Sequence, residues 1–431
     1  MKLLKSASIS SFGGINFVLN ELEHTGVGKL LNCHLPALPA QCQYTWKDLL
    51  YSFWSIFFCG GDCAEDLSIH LRDNFKGNPF VKVPSPDRVL ERMKSLSVPA
   101  RIFSTPRGHA THQFSINTSL NRLNLKLIRK LSKIKRGDVV LDYDNTLLFT
   151  RKADATMTYK KRFGYAPGVG IIGNNIVYVE NRNGNSAAAN LQEKTLERMF
   201  RLLKEYSIKV DRFRADGASY KLSTLKVVSR YVGKFYIRAN MGYSLMEAIC
   251  RIRNWEEVVV ENEKAHRGSV IFTPFEKIAG RKKTAGLTNP CRLVVTKVRR
   301  KDGQFDLFTG EPCNYHAIIT NDLDMSNDQI VHFYNQRGSV EKEFDILKND
   351  FGWNSMPFSR LEYNTVFLLF TAICRNIYGY IIALFSKLYK NLSPRFRMKK
   401  FTFRFICVPA KWILAGRQKK LRIYSNLAYK T

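Results

Sequence analysis

Hydrophobic and polar positions change their rhythm several times along the chain. The first hundred residues follow a helical period. "TWKDLLYSFWSIFF" (45–58) is apolar nearly throughout, which predicts a helix buried on all sides. "SPDRVLERMKSL" (85–96) opens with Ser85 and Pro86, a cap and first-turn pair, then sets Val89, Met93 and Leu96 on one stripe. "INTSLNRLNLKLIRKLSK" (116–133) predicts an amphipathic basic helix. The run "VVLDYDNTLL" (139–148) then predicts a buried strand ending in acids. Beyond it come a strand near 175–180, a helix in "LQEKTLERMFRLLKEYS" (191–207), a strand in "IKVDRFRADG" (208–217), a helix over 220–231 and the strand "KFYIRAN" (234–240). Alternating strands and helices predict a mixed α/β domain around a central sheet.

From 241 to 318 the pattern turns to β. "EEVVVENEK", "GSVIFTPF", "CRLVVTKVRR", "GQFDLFTG" and "YHAIITND" read as successive strands of a β-rich insertion. Helices resume with "NDQIVHFYNQRGSVEKEFDILKNDF" (327–351) and "TVFLLFTAICRNIYGYIIALF" (365–385). The latter is long enough to span a bilayer but carries Arg375 and Asn376 at its centre, so it predicts a buried helix and no membrane partner. The pattern divides the chain into a helical N-terminal domain (1–115), available for DNA-end binding, the first part of a core (116–240), the insertion (241–318), the second part of the core (319–386) and a basic C-terminal segment (387–431).

Charge narrows the function. The 431 residues hold 68 Lys and Arg against 36 Asp and Glu, a formal net charge of +32, which points to a polyanionic partner, nucleic acid before membrane. Residues 1–100 are nearly neutral (10 basic, 9 acidic) and 351–431 strongly basic (15 and 1), yet 301–350 are acidic (4 and 10). An acidic island in a basic chain is explained by metal binding, because a divalent cation relieves repulsion between clustered carboxylates. The basic C-terminal stretches "NLSPRFRMKKFTFRF" and "AGRQKKLRIYSN", with interleaved aromatics, suit phosphate contact and stacking, or a solvated surface. Nine scattered cysteines include Cys59 and Cys63 in "CGGDC" with His70 nearby. They lack the second close pair a zinc site needs and read as buried free thiols of a reducing, cytoplasmic and nucleoid-associated setting.

Three acidic places stand out. Asp142 and Asp144 alternate with Leu141 and Tyr143, so both face one side of their strand. Asp216 sits where the next obvious strand after the helix gives way to Gly217, and Glu341 shares a helix face with Asp345, with Lys348 near it. Converging above the carboxyl end of a sheet, such acids hold two divalent cations for phosphoryl transfer. Two other readings stay open. A haloacid-dehalogenase-like phosphatase would use Asp142 as nucleophile and Asp144 as general acid–base, and "AIITNDLD" resembles its late acidic motif. A DNA-binding protein without catalysis would leave the acids as solvated strand ends.

Tyr334, Arg337, Glu341 and Lys348 form Tyr-x2-Arg-x3-Glu-x6-Lys, which resembles the signature helix of bacterial insertion-sequence DDE transposases. "LDYDNT" and "FRADGASY" resemble that family's two Asp motifs in the right order, over residues 135–385. The resemblance implies an RNase H-like mixed-sheet core interrupted by the β-rich insertion. It implies Asp144, Asp216 and Glu341 as catalytic metal ligands for Mg²⁺ (or Mn²⁺), with Asp142 a neighbour. Tyr334, Arg337 and Lys348 would hold DNA phosphates. The implied activity is cutting at the terminal inverted repeats of an insertion sequence and transfer of the 3′-hydroxyls to target DNA, by a homodimer on double-stranded DNA.

Overall fold

The computed structural model describes residues 9–104, 110–132, 134, 137–275, 289–425 and 429. Its strands are β1 (Arg101–Ser104), β2 (Thr111–Ser115), β3 (Val140–Asn145), β4 (Leu148–Phe149), β5 (Thr156–Met157), β6 (Phe163–Tyr165), β7 (Gly168–Ile172), β8 (Asn175–Arg182), β9 (Arg212–Ala215), β10 (Lys234–Arg238), β11 (Glu256–Val260), β12 (Glu263–Phe272), β13 (Cys291–Arg299), β14 (Cys313–Thr320), β15 (Ala410–Ala415) and β16 (Gln418–Ile423). Eleven of them form one sheet in the order β1-β2-β8-β7-β3-β9-β10-β14-β13-β12-β11. At its centre β3 pairs antiparallel with β7, and β7 with β8, while β3, β9 and β10 run parallel. The parallel strands need crossovers, supplied by the helices Gln192–Glu205 and Leu222–Tyr231.

Those two helices cover one face. Leu196, Met199, Phe200, Leu225 and Val228 pack with Leu141, Tyr143, Phe213, Ala215, Phe235 and Ile237 in a single core. The period of two then sends Asp142, Asp144, Arg214 and Tyr236 to the other face. There the helix Leu361–Leu388 packs into the core that holds Val169, Ile171 and Val179. The helix Asn327–Asn335 seats Ile330 against Tyr236, Val294 and Ile318. The acid-bearing strand ends therefore lie between two helical supports.

The helix Leu361–Leu388 is long and apolar enough to cross a membrane, yet 83% of its most apolar window is buried within the chain. The two polar residues at its centre, Arg375 and Asn376, have partners. Arg375 donates to both Glu343 oxygens, at 3.0 and 2.7 Å. Asn376 accepts from Ile176 N–H and donates to Ile176 carbonyl oxygen and Asn124 Oδ1, each at 2.9 Å. Asn376→Leu takes the partner from the buried Ile176 N–H and Asn124 Oδ1, while the Ile176 carbonyl oxygen keeps Asn124 Nδ2 at 2.7 Å; it is expected to cost about 1–3 kcal/mol, read as a lower urea midpoint at an unchanged slope.

N-terminal helices close the same core. Trp46–Phe58 starts with a capping box between Thr45 and Asp48 and buries twelve of its thirteen residues, as its apolar run requires. Trp54 Nε1 donates to Phe370 carbonyl oxygen at 3.0 Å, tying this helix to Leu361–Leu388. Within the 1–115 stretch assigned to a helical domain, Arg101–Ser104 and Thr111–Ser115 supply β1 and β2 at the sheet edge.

Three further expectations change. "GQFDLFTG" is a turn rather than a strand, because Asp306 Oδ1 accepts from Phe308 N–H and Thr309 N–H. The helix expected over 327–351 divides at Gly338 into Asn327–Asn335, a tight turn Gln336–Gly338, and Ser339–Asp350. In the C-terminal stretch Phe401 and Phe405 are core residues and do not stack on a ligand; Phe403 is exposed. The other expected strands of 241–318 form β11 to β14, which join the central sheet through β14 and β10.

Candidate active site

Strand register brings the acids together. Tyr143 lies opposite Ala215, so one step further along the parallel pair Asp144 lies opposite Asp216. Ile237 lies opposite Ala215, so Arg238 falls beside Asp216 on the same row. On the antiparallel side Asp144 faces Val169. One row at the strand ends thus reads Val169, Asp144, Asp216, Arg238. The row behind it reads Ile171, Asp142, Arg214, Tyr236.

The back row is structural. Arg214 grips both Asp142 oxygens at 2.7 Å and donates to Phe333 carbonyl oxygen at 2.6 Å. Both charged side chains are 7% exposed. This fork fixes β3 to β9 and hangs the helix Asn327–Asn335 from them. It also occupies both oxygens that a nucleophilic Asp142 would need.

The front row carries the candidate metal ligands. Asp144 Oδ1 accepts from Asn145 N–H and its Oδ2 from Arg337, both at 2.8 Å. Asp216 Oδ1 accepts from Ala218 N–H at 3.1 Å. Burial, then the charge of Asp216, pushes the Asp144 carboxyl up to about 6, with Arg337 opposing. Burial likewise raises Asp216, against Arg337 and the Ala218 N–H. Two carboxylates held close at a cost in ionisation, on rigid strand ends, form an oxygen donor set of the kind hard divalent cations take. The residues present fit such an ion.

The sign of the linkage follows. Asp144 titrates near 3.9 when unfolded and at about 6 when folded. Its stabilising contribution is complete below the unfolded value and is lost as pH rises through the folded one. Metal-free wild type is expected to lose about 1.4 kcal/mol relative to Asp144→Asn between about pH 5 and pH 7.5. Urea titrations at both pH values check this; parallel behaviour of the two proteins contradicts it.

The remaining expected residues are placed unequally. Arg337, 13% exposed, stands in the turn Gln336–Gly338 and touches Asp144. Burial opposes its charge, but Asp144, Tyr334 and Asp216 outweigh burial and raise its pKa. Tyr334 is half-buried beside Arg337. Glu341 begins the next helix, 73% exposed, 3.8 Å from Arg337. Lys348 lies two turns on, half-buried beside Asp345 and away from the aspartates, and burial lowers its pKa. Asp345, expected on the Glu341 face, pairs with Arg397 at 2.7 Å. Among the described residues, three metal-capable groups with donor atoms within 4.8 Å occur at Asp62, Cys63 and Asp66. The three acids stand wider than that, with Arg337 between Asp144 and Glu341. Cys63, expected to be buried, is exposed, as are Cys33, Cys250 and Cys407.

Beside the front row lies a cavity of about 430 Å³ lined by Asp216, Arg238, Asn240, Tyr315 and Arg337. Arg238 and Asn240 were missed in the sequence. Strand alternation through "KFYIRAN" was the signal for Arg238. Asn240 donates to Gly217 carbonyl oxygen at 2.6 Å, and a Cβ on Gly217 would meet its Oδ1 at 2.3 Å, so glycine is what lets the loop after Asp216 close.

A sequence model of the family described as Transposase DDE domain group 1 matches residues 5–431. Among solved structures, a piggyBac transposase, seen by cryo-EM as a synaptic complex with hairpin DNA, is similar at a TM-score of 0.45 and 12% identity, over 92% of this chain and 79% of that one. No curated protein matches the sequence.

Proposed function

The chain belongs to the transposase DDE domain family, and we propose that it cuts DNA at the ends of its own mobile element and joins the freed 3′-hydroxyls to target DNA at the Asp144–Asp216 site. The observation that carries this reading is the register that sets these acids side by side on adjacent parallel strands with a cationic rim. A mixed sheet with acids at its central strand ends also supports an RNase H-like core.

Asp144 and Asp216 are the residues that would hold Mg²⁺ or Mn²⁺, with Glu341 completing the set by turning in from the helix edge. One or two such ions would supply charge neutralisation at the phosphodiester and activation of the attacking oxygen. The chain's own groups do the rest. The Arg214–Asp142 fork keeps β3 and β9 in register, so the spacing of the acids is fixed before DNA arrives. Arg238 and Arg337 orient phosphate oxygens over the acids. The Arg375–Glu343 pair holds the Ser339–Asp350 helix against the core, so that Glu341 stays at the rim of the site. Tyr334 braces Arg337 from the side. Residues 1–115 would contact the element's ends, and a homodimer would bridge two of them.

The phosphatase reading loses its nucleophile to Arg214. A binding protein without catalysis is separated by experiment. Purified protein is incubated with a labelled duplex carrying the terminal repeat that flanks its gene, with and without Mg²⁺, beside Glu341→Ala. Metal-dependent nicking at the repeat boundary, lost in the variant, is the expected result. Binding without nicking sinks the catalytic reading.

A further inference from the structure

Arg337 does more than line the site. Its guanidinium bonds Asp144 Oδ2 at 2.8 Å, reaches to 3.8 Å from Glu341 and faces the cavity that Asp216 borders. The acids' counter-ion is thus a side chain of the same protein. A guanidinium and a divalent cation repel each other at one carboxylate, since each adds positive charge in the same place. Arg337 on Asp144 Oδ2 therefore opposes the loading of a metal there.

The surroundings allow that exchange. The helix before the turn is pinned by Arg214 through Phe333, so the base of Arg337 does not drift. Arg337 itself lines the open cavity beside the acids, so its guanidinium has space to turn into. A DNA phosphate offers the guanidinium the same bidentate geometry as a carboxylate. Arg238 lines the same cavity and would share that phosphate.

We propose that Arg337 is an exchangeable internal counter-ion: a DNA phosphate draws it off Asp144, which opens the acid pair to the metal. This rests on the reading of Asp144 and Asp216 as metal ligands. It makes metal and DNA binding mutually reinforcing by the same factor, because coupling free energies are reciprocal. It also keeps the acids neutralised, and the site poorly loaded with metal, until DNA is seated.

The test is Mn²⁺ binding to the full-length protein, followed by the spectroscopic signal of free Mn²⁺, with and without a mixed-sequence duplex at low salt. Binding to the duplex alone is subtracted. Wild type is expected to bind Mn²⁺ about tenfold tighter with DNA than without, within the usual range of coupling. Arg337→Gln is expected to bind it about tenfold tighter than wild type in the absence of DNA, with little further gain from the duplex. Arg337→Lys, which keeps the charge but loses the fork, should fall between them. Arg337→Gln binding no tighter than wild type, or keeping the full gain from DNA, overturns the proposal. Should that variant not fold, an absent DNA effect in wild type overturns it equally. Mn²⁺ binding that persists in Asp144→Asn refutes the metal-ligand reading itself, which is a different failure from an Arg337 that has no effect.

Discussion

Asp216→Asn is expected to abolish metal-dependent DNA cleavage, by at least about a thousandfold, or roughly 4 kcal/mol in the barrier. The expectation follows from what the side chain does and does not do. Asp216 makes one hydrogen bond within the protein, from Ala218 N–H, and an amide oxygen can accept it equally well. Its carboxylate is raised in pKa by burial and lies opposite Asp144, so its charge is a burden to the fold. Removing that charge leaves the strand ends packed and takes away one of the three proposed donors. Asp144→Asn should behave likewise, although Arg337 then loses a partner. The thermal midpoint and single-turnover cleavage, measured on the same preparations, check this. Residual cleavage within about tenfold of wild type would remove Asp216 from the chemistry, since tenfold is little more than 1 kcal/mol.

Arg214→Ala has the opposite profile, a loss of stability of about 3–5 kcal/mol. It removes one partner of a buried bidentate pair and leaves the Asp142 carboxylate, 7% exposed, without a counter-ion. It also frees the carbonyl of Phe333 and loosens the helix that leads to Arg337. The double variant Arg214→Met with Asp142→Leu removes both charges and is expected to recover most of the loss, because a buried ion pair replaced whole is close to neutral. Chemical denaturation of the two singles and the double measures the coupling. Additive losses would mean that the pair is not what holds β3 to β9. Asp142→Asn should retain metal-dependent cleavage in whatever fraction remains folded, whereas a phosphatase would lose its activity outright.

The two acids of the front row were legible as strand-end acids because two local rules suffice to place them. Alternation put Asp142 and Asp144 on one face, and the Gly217 break put Asp216 at a strand end. The choice between the two strand acids came only from the resemblance, which implied Asp144; the physical reason that Asp142 is locked is Arg214, seventy-two residues on, and only strand register brings it there. Arg238 escaped for the same reason. The partner of Arg375, Glu343, was not legible either, since only the packing of two helices brings them together. The break at Gly338 could not be read from a periodic stretch that continues on both sides of it. It is nonetheless what lets Arg337 point into the acids while Val340, Phe344 and Leu347 pack. "GQFDLFTG" has a strand's alternation, and Asp306 overrode it with an Asx turn. The aromatics of the C-terminal segment were ambiguous by composition and were decided by tertiary packing.

The most direct measurement is diffraction from crystals of the wild-type protein grown with a terminal-repeat duplex and soaked in Mn²⁺, using the anomalous signal of the metal. The expected map shows Mn²⁺ between the carboxylates of Asp144 and Asp216, with Glu341 turned inward and Arg337 on a phosphate. A map with no peak at those aspartates, or with its peak at Asp62, Cys63 and Asp66 instead, contradicts a metal-dependent cutting site at the ends of β3 and β9.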